Sequence, residues 1–401
     1  MHEYDLPQTL PETPTPVTSF DADLVVVGAG IVGLAHAALA LNSGLRVIVI
    51  DRDHEAVGAS VRNFGHACIT AQSGELYEMA QVSRRHWLTM ASRAGFWLAE
   101  SGAVVVARTA TELAVMEELS ATREPGQVVL LDAAETATRI GRPDADGIHG
   151  GAWLRDDLRV DPRTTVAKLA AWVAEHERGS VRWNTAALGF EAKNDGGAVT
   201  IRTSRGILRA RQSVVCVGHD IDYLWPELAA EHQIERCSLQ MALAAAPAGL
   251  DLAPAVLTAT SMLRYPAFTD MPSAARLRDE VLASSPELLD IVANVMCTQR
   301  PDGTVIVGDS HAYSLAVAPF LEEDVSRVLI QEQVDLLARE LTITQRWQGV
   351  YASSAVGPYL VREVEPGVTV VSVTSGVGMT LSFGLAERTL GAFVPALQLS
   401  V

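Results

Sequence analysis

The chain has few cysteines and a deficit of positive charge, and each shortage closes off a class of function. Its four cysteines, Cys68, Cys216, Cys237 and Cys297, are scattered with no CxxC pair and no metal-ligand spacing. Neither a disulfide framework nor a metal site is therefore expected, and reduced thiols in a cytoplasmic compartment are the plain expectation. Lys and Arg number 31 against 48 Asp and Glu, for a formal net charge of −17. Nucleic acids and anionic membranes reward a basic surface, so neither is expected as a partner. A small anion is not excluded, because a local arginine cluster can override the mean charge. No apolar run reaches the length needed to span a bilayer. Residues 1–20 carry Pro7, Pro11, Pro14 and Pro16 and lack the basic start and apolar centre of a signal peptide, so they read as a flexible leader.

What is present is the material of a globular enzyme. The chain has 401 residues, too many for one hydrophobic core, and 48% of them are hydrophobic, so two domains are expected. Near the N-terminus, Asp23-Leu24-Val25-Val26-Val27 suits a buried parallel strand. Gly28-Ala29-Gly30-Ile31-Val32-Gly33 follows at once, and a helix of small residues follows that. Gly28 permits the tight turn, Gly30 lets backbone N–H groups approach a pyrophosphate, and Gly33 lets the helix press on the strand. The helix N-terminus then offers its partial positive charge to the phosphates, with Ile31 and Val32 in its first turn. A second strand, Leu45–Ile50, ends at Asp51, 18 residues beyond Gly33, where an acid accepts from ribose hydroxyls; Arg52 comes next. A glycine motif set between two apolar strands, with an acid ending the second, indicates a bound dinucleotide.

Three later features favour FAD over a nicotinamide. Gly58–Gly65 contains Ser60, Arg62, Asn63 and Phe64, a loop able to lie along the pyrophosphate and under the flavin ring. Ser213–Gly218 reads as a strand returning to the same sheet and ending at Gly218. It follows a three-strand meander at about 186–211 with turns at Asn194–Gly197 and Ser204–Gly206. Thr369–Ser375 then leads through Gly376, Val377 and Gly378 into a helix that begins with Met379 and Thr380. That helix N-terminus is positioned to stabilise negative charge on a reduced flavin.

From about residue 21 the chain resembles the superfamily of D-amino-acid oxidase, glycine oxidase and sarcosine oxidase. The matching segments are Gly28–Gly33, Ser60–Gly65, Val160–Arg163, Val214–Gly218 and Gly376–Thr380. Within it, Arg62–Gly65, Cys237–Met241, Val307–His311 and Arg346–Gly349 resemble a branch associated with phosphonate catabolism. The resemblance implies an α/β fold in which a Rossmann-like FAD-binding domain interleaves with an α+β substrate domain built on an antiparallel sheet. The expected boundaries are 21–80, 150–222 and 345–401 for the FAD domain, and 81–149 and 223–344 for the substrate domain. Glu75–Glu100 reads as a long helix, Arg236–Ala246 as a strand, and Asp290–Thr298 with Thr304–Val307 as a hairpin around Pro301–Gly303.

The resemblance also implies the chemistry: hydride leaves a carbon bearing nitrogen for flavin N5, and the imine hydrolyses. The electrons pass on to O2 or another acceptor. The substrate is then a small amine, best matched by an N-alkylated aminoethylphosphonate, with a glycine, sarcosine or D-amino-acid oxidase type as the alternative. A flavin-binding partner protein without turnover is a further reading. Family members clamp a carboxylate with an Arg-Pro pair just past the position of Gly349, where this chain has Tyr351-Ala352. That departure points away from plain α-amino acids and raises Arg264 and Arg346 as replacement anion clamps, with Tyr265, Tyr313 and Tyr351 around them. His311 is a candidate base, proton donor or O2-activating cation. Related dimethylglycine-oxidising enzymes attach FAD through a histidine near the position of His66, which is thus either an attachment point or a neutral contact to the flavin.

Overall fold

Val and Ile runs buried on both faces form the centre of the first sheet in a computed structural model that describes residues 20–192 and 197–392. Five parallel strands lie in the order Val368–Val373, Gly206–Val215, Ala22–Val27, Val47–Ile50 and Gly179–Arg182. Ala187–Glu191 and Val199–Thr203 add an antiparallel meander to Gly206–Val215, and Tyr359–Glu365 pairs antiparallel with Val368–Val373. The leader lies outside the described residues apart from Phe20, as does most of the turn at Asn194–Gly197.

The helix Ile31–Asn42 is buried nearly all round because it is sandwiched. It packs against the helices Gly378–Gly391 and Pro162–Glu175, and Gly378–Gly391 packs in turn on Gly74–Ala94. Asp161 caps the helix Pro162–Glu175 by accepting from the Arg163 N–H, with Pro162 at its first position. Trp87 is fully buried, meets Phe383 edge to face at 5.0 Å and donates to the Met379 carbonyl at 2.8 Å. The long N-terminal helix thereby fixes the start of the last one.

The second sheet has nine strands and is antiparallel except where Ala255–Leu257 meets Ala103–Ala107. At its centre Glu235–Ala244 pairs with Ile343–Ser353, Val305–Gly308 and Ala312–Ser314. The hairpin around Pro301–Gly303 is present, joining Met296–Gln299 to Val305–Gly308.

Several expected boundaries move. Gly150–Leu154 and positions 345–353 of the strand Ile343–Ser353, placed with the FAD domain by boundaries at 150 and 345, pair in the second sheet. The helix expected to reach Glu100 stops at Ala94, because Gly95 turns left-handed at φ +66 and caps it. The strand expected from Asp290 begins only at Met296, since Pro286 opens a short helix over Pro286–Asp290. No helix among the described residues is long and apolar enough to cross a membrane.

Candidate active site

A cleft of about 510 Å³ runs from the end of the first βαβ unit to the face of the second sheet. Its near end is built by close backbone approach. Gly28 has φ +102, and a Cβ there would lie 2.4 Å from the Cys216 carbonyl oxygen. A Cβ on Gly33 would lie 2.0 Å from the Gly28 oxygen, so helix and turn meet without room for a side chain. Asp51 accepts from the Ala29 N–H at 2.7 Å and from the Asp53 N–H at 2.9 Å. Burial raises the Asp51 carboxyl against these two bonds. Ser60 accepts from the Ile31 N–H at 2.9 Å, which ties the glycine loop to the second loop. Arg52 pairs with Asp220 at 2.7 Å on the rim.

The loop after Gly58 is held at both ends. Asn63 accepts from the Gly65 N–H at 2.7 Å and donates to the carbonyls of Ala59 and Ser60. Gly65, at φ +68, brings its backbone against Val160, just ahead of the capped helix. Arg62 lines the cleft while its guanidinium donates to the Gln348 carbonyl at 3.1 Å, which ties this loop to the second sheet. His66 is buried, with Nε2 bonded to Asp157 at 2.8 Å and Nδ1 free of any hydrogen bond. A carboxylate oxygen accepts, so Nε2 is the donor in this bond. On the opposite wall Thr380 accepts from the Cys68 N–H at 3.1 Å.

All the residues expected to hold the cofactor line this cleft except Gly33 and Gly65, which act behind it through backbone contact. The donor set fits a dinucleotide. A glycine turn that excludes side chains lies at a helix N-terminus, an acid ends the second strand, and a further glycine-rich helix start, Gly376–Thr380, closes the far side.

The far end differs in character. Phe64, Leu239, Met241 and Met296 form an apolar floor. Above it Arg264 donates to the Tyr351 hydroxyl at 2.6 Å and approaches the Tyr313 hydroxyl at 3.5 Å. Gly376, at φ +76, lies so close that a Cβ would come within 3.2 Å of the Arg264 guanidinium. Burial opposes the charge on Arg264, but the surrounding Tyr351, Tyr265, Tyr313 and Asp309 raise its pKa overall, so it stays cationic. Tyr265 is buried in the cleft wall, whereas Tyr313 is exposed and stands at the mouth, outside the lining.

Arg346 is not brought to the site. Its guanidinium pairs with Glu323 at 3.1 Å on the outside. Five positions separate it from Tyr351 on the strand Ile343–Ser353, and an odd spacing puts the two on opposite faces. His311 is in the lining, but burial and the Arg264 charge push it well below the ordinary histidine range. It is therefore neutral near pH 7, which removes the cationic role. Its Nδ1 bonds to the Val292 carbonyl at 2.9 Å, so Nδ1 bears the proton and Nε2 the lone pair. Asp309 and Asn294, not expected to take part, also line the cleft. The sequence signal for Asp309 is its place in the Val307–His311 segment, directly after the apolar run Val305–Gly308; Asn294 carries none.

The four cysteines are buried and unpaired. Burial pushes the Cys68 thiol up to about 11, so it is neutral where it meets the cleft. No group of three or more His, Cys, Asp or Glu among the described residues could hold a metal ion.

A parallel βαβ cradle for a dinucleotide, roofed by a largely antiparallel sheet that carries the polar cluster, defines a dinucleotide-dependent oxidoreductase. The family profile described as FAD dependent oxidoreductase, DAO, matches residues 23–390, and the chain belongs to that family. Its cofactor is FAD. The chain is similar to the probable oxidoreductase OrdL of Rhizobium meliloti (strain 1021), with 25% identity over 398 residues, 93% of this chain and 84% of that protein. In structure it is similar to L-proline dehydrogenase from P. horikoshii (TM-score 0.76, 16% identity, 94% of each chain covered). It is also similar to glycine oxidase from Geobacillus kaustophilus (TM-score 0.73, 18% identity, 92% of this chain and 94% of that one).

Proposed function

We propose that the protein oxidises a carbon–nitrogen bond in a small amine that carries an anionic group, with an N-alkylated aminoethylphosphonate as the favoured substrate. The observation that carries this reading is Arg264, a cation inside the cleft that bonds to the Tyr351 hydroxyl and forms no salt bridge with a carboxylate among the described residues, although Asp309 adds to its charge. Such a group suits an anion, and the guanidinium with the Tyr351 hydroxyl beside it, and Tyr313 at the mouth, can donate to the oxygens of a phosphonate. Gly28, Gly30, Asp51, Ser60 and the Gly376–Thr380 turn would hold FAD, which supplies the two-electron acceptor for the hydride. The apolar floor excludes water beneath the reacting carbon.

A second reading, oxidation of glycine, sarcosine or a D-amino acid, is favoured by the names of the two structural relatives, one for L-proline and one for glycine. Anaerobic mixing of the holoprotein with N-methyl aminoethylphosphonate, sarcosine, glycine and D-alanine separates the two. The phosphonate is expected to reduce the flavin fastest at equal concentration. Faster reduction by a carboxylate substrate would favour the second reading.

A further inference from the structure

A buried carboxyl group stands in the cleft wall without a role in the chemistry so far. Asp309 follows the strand Val305–Gly308 and is 4% exposed. Its backbone is pinned by two hydrogen bonds exchanged with Asn294, at 2.8 and 2.9 Å. Its side chain meets the Asn294 side chain. Oδ1 makes no hydrogen bond within the protein, and Oδ2 lies 3.9 Å from His311 Nε2.

The surroundings explain why such a group is unusual. Arg264 and Tyr265 face it from the segment between two short helices, and Cys237 from the strand Glu235–Ala244. His311 and Asn294 flank it, while Tyr351 and Tyr313 stand beyond Arg264. Arg264 is the one fixed charge in this set. A carboxylate buried with an unused oxygen is costly unless it is neutral or meets a cation. The cleft therefore holds a fixed positive group for an anion and, in the same chamber, an acid with a free oxygen.

We propose that Asp309 receives the ammonium group of the substrate and takes its proton, so that the site is built for a zwitterion. This rests on the amine reading above. A hydride can leave a carbon beside nitrogen only if nitrogen has a lone pair to form the double bond. The step is a proton transfer: one N–H bond of the ammonium breaks, its electron pair stays on nitrogen, and an O–H bond forms on the Asp309 carboxylate. Charge is conserved, and nitrogen is left with the lone pair that hydride loss to bound FAD would require. The lone pair of His311 Nε2 faces the newly protonated carboxyl. Burial pushes the Asp309 carboxyl up to about 7, with Arg264 opposing, which leaves it able to change state near neutral pH.

The test is Asp309→Asn in the holoenzyme, with anaerobic flavin reduction by N-methyl aminoethylphosphonate followed from pH 5.5 to 10.5. In the wild type, kcat/KM is expected to rise through about pH 7 and level off. In Asp309→Asn it is expected to fall roughly 1000-fold at pH 7 and to climb tenfold per pH unit toward the amine's own pKa, about 10. Binding of ethylphosphonate, which has the anion and no nitrogen, is read from the spectrum of oxidised FAD and is expected to change less than about threefold. A variant profile parallel to the wild type, or equal weakening of ethylphosphonate and the amine, would overturn the assignment. Should the variant fail to fold, a wild-type profile without an acidic limb between pH 5.5 and 8 would overturn it as well. If no amine reduces the flavin, the amine reading itself fails; if amines do and the variant tracks the wild type, only Asp309 is refuted.

Discussion

Two arginines looked interchangeable as anion clamps, and the fold separates them. Arg264 sits within the cleft against Tyr351, while Arg346 pairs with Glu323 on the outer face of the same strand that carries Tyr351. Truncating Arg264 to Ala removes charge-assisted bonds and is expected to weaken substrate binding by about 2 kcal/mol, roughly a 30-fold rise in KM at similar flavin content. Arg346→Ala is expected to leave KM within about twofold, because an exposed ion pair contributes little. Steady-state kinetics on both variants check the pair, and the reverse ordering would refute the assignment. The choice was not legible in the sequence. Alternation along a strand says that positions 346 and 351 face opposite ways, but not which way the cleft lies. Asp309 was hidden for a similar reason: burial raises its carboxyl, and burial belongs to the packed sheet rather than to the local string.

At the scale of elements, the segments whose signals are local were the ones legible in advance. The strand–glycine turn–helix at 22–42 and the closing Gly376–Thr380 turn carry their own punctuation and lie where expected. Segments that depend on distant partners shifted. Gly95 cut the long helix short, and Gly150–Leu154 was drawn to the second sheet by pairing with Ala103–Ala107 and Val128–Leu131. The helix Ile31–Asn42 hides a liability in His36, which is fully buried with Nδ1 on the Val32 carbonyl and Nε2 unpaired. Burial lowers its pKa to about 4, against 6.5 for a free histidine. The folded-state value lies below the unfolded one, so the unfolded chain takes up the proton first. Stability is unaffected above pH 6.5 and is lost as pH falls from there toward 4, by roughly 3 kcal/mol in all. Thermal unfolding of His36→Leu across this range is expected to fall off less steeply than that of the wild type. Parallel curves would show that His36 is not the source.

The whole molecule joins a dinucleotide cradle to a roof that carries charge. Arg62, in the loop after Gly58, bonds to Gln348 of the second sheet, and Gly376 brings the start of the last helix against Arg264 and Tyr351. Cofactor binding and substrate recognition thus share one wall, and the fold and cofactor could be read from the chain because glycine spacing fixes them locally. The substrate could not, because the site proposed for it draws on positions 264, 294, 309, 311 and 351, which only the fold brings to one cleft. The central claim, that this is an FAD enzyme for small anionic amines, is tested most directly by anaerobic titration of the purified holoprotein with N-methyl aminoethylphosphonate. Complete bleaching of the oxidised flavin absorption is expected near one equivalent of amine per flavin. Persistence of the oxidised spectrum with this amine and with sarcosine, glycine and D-alanine would contradict it.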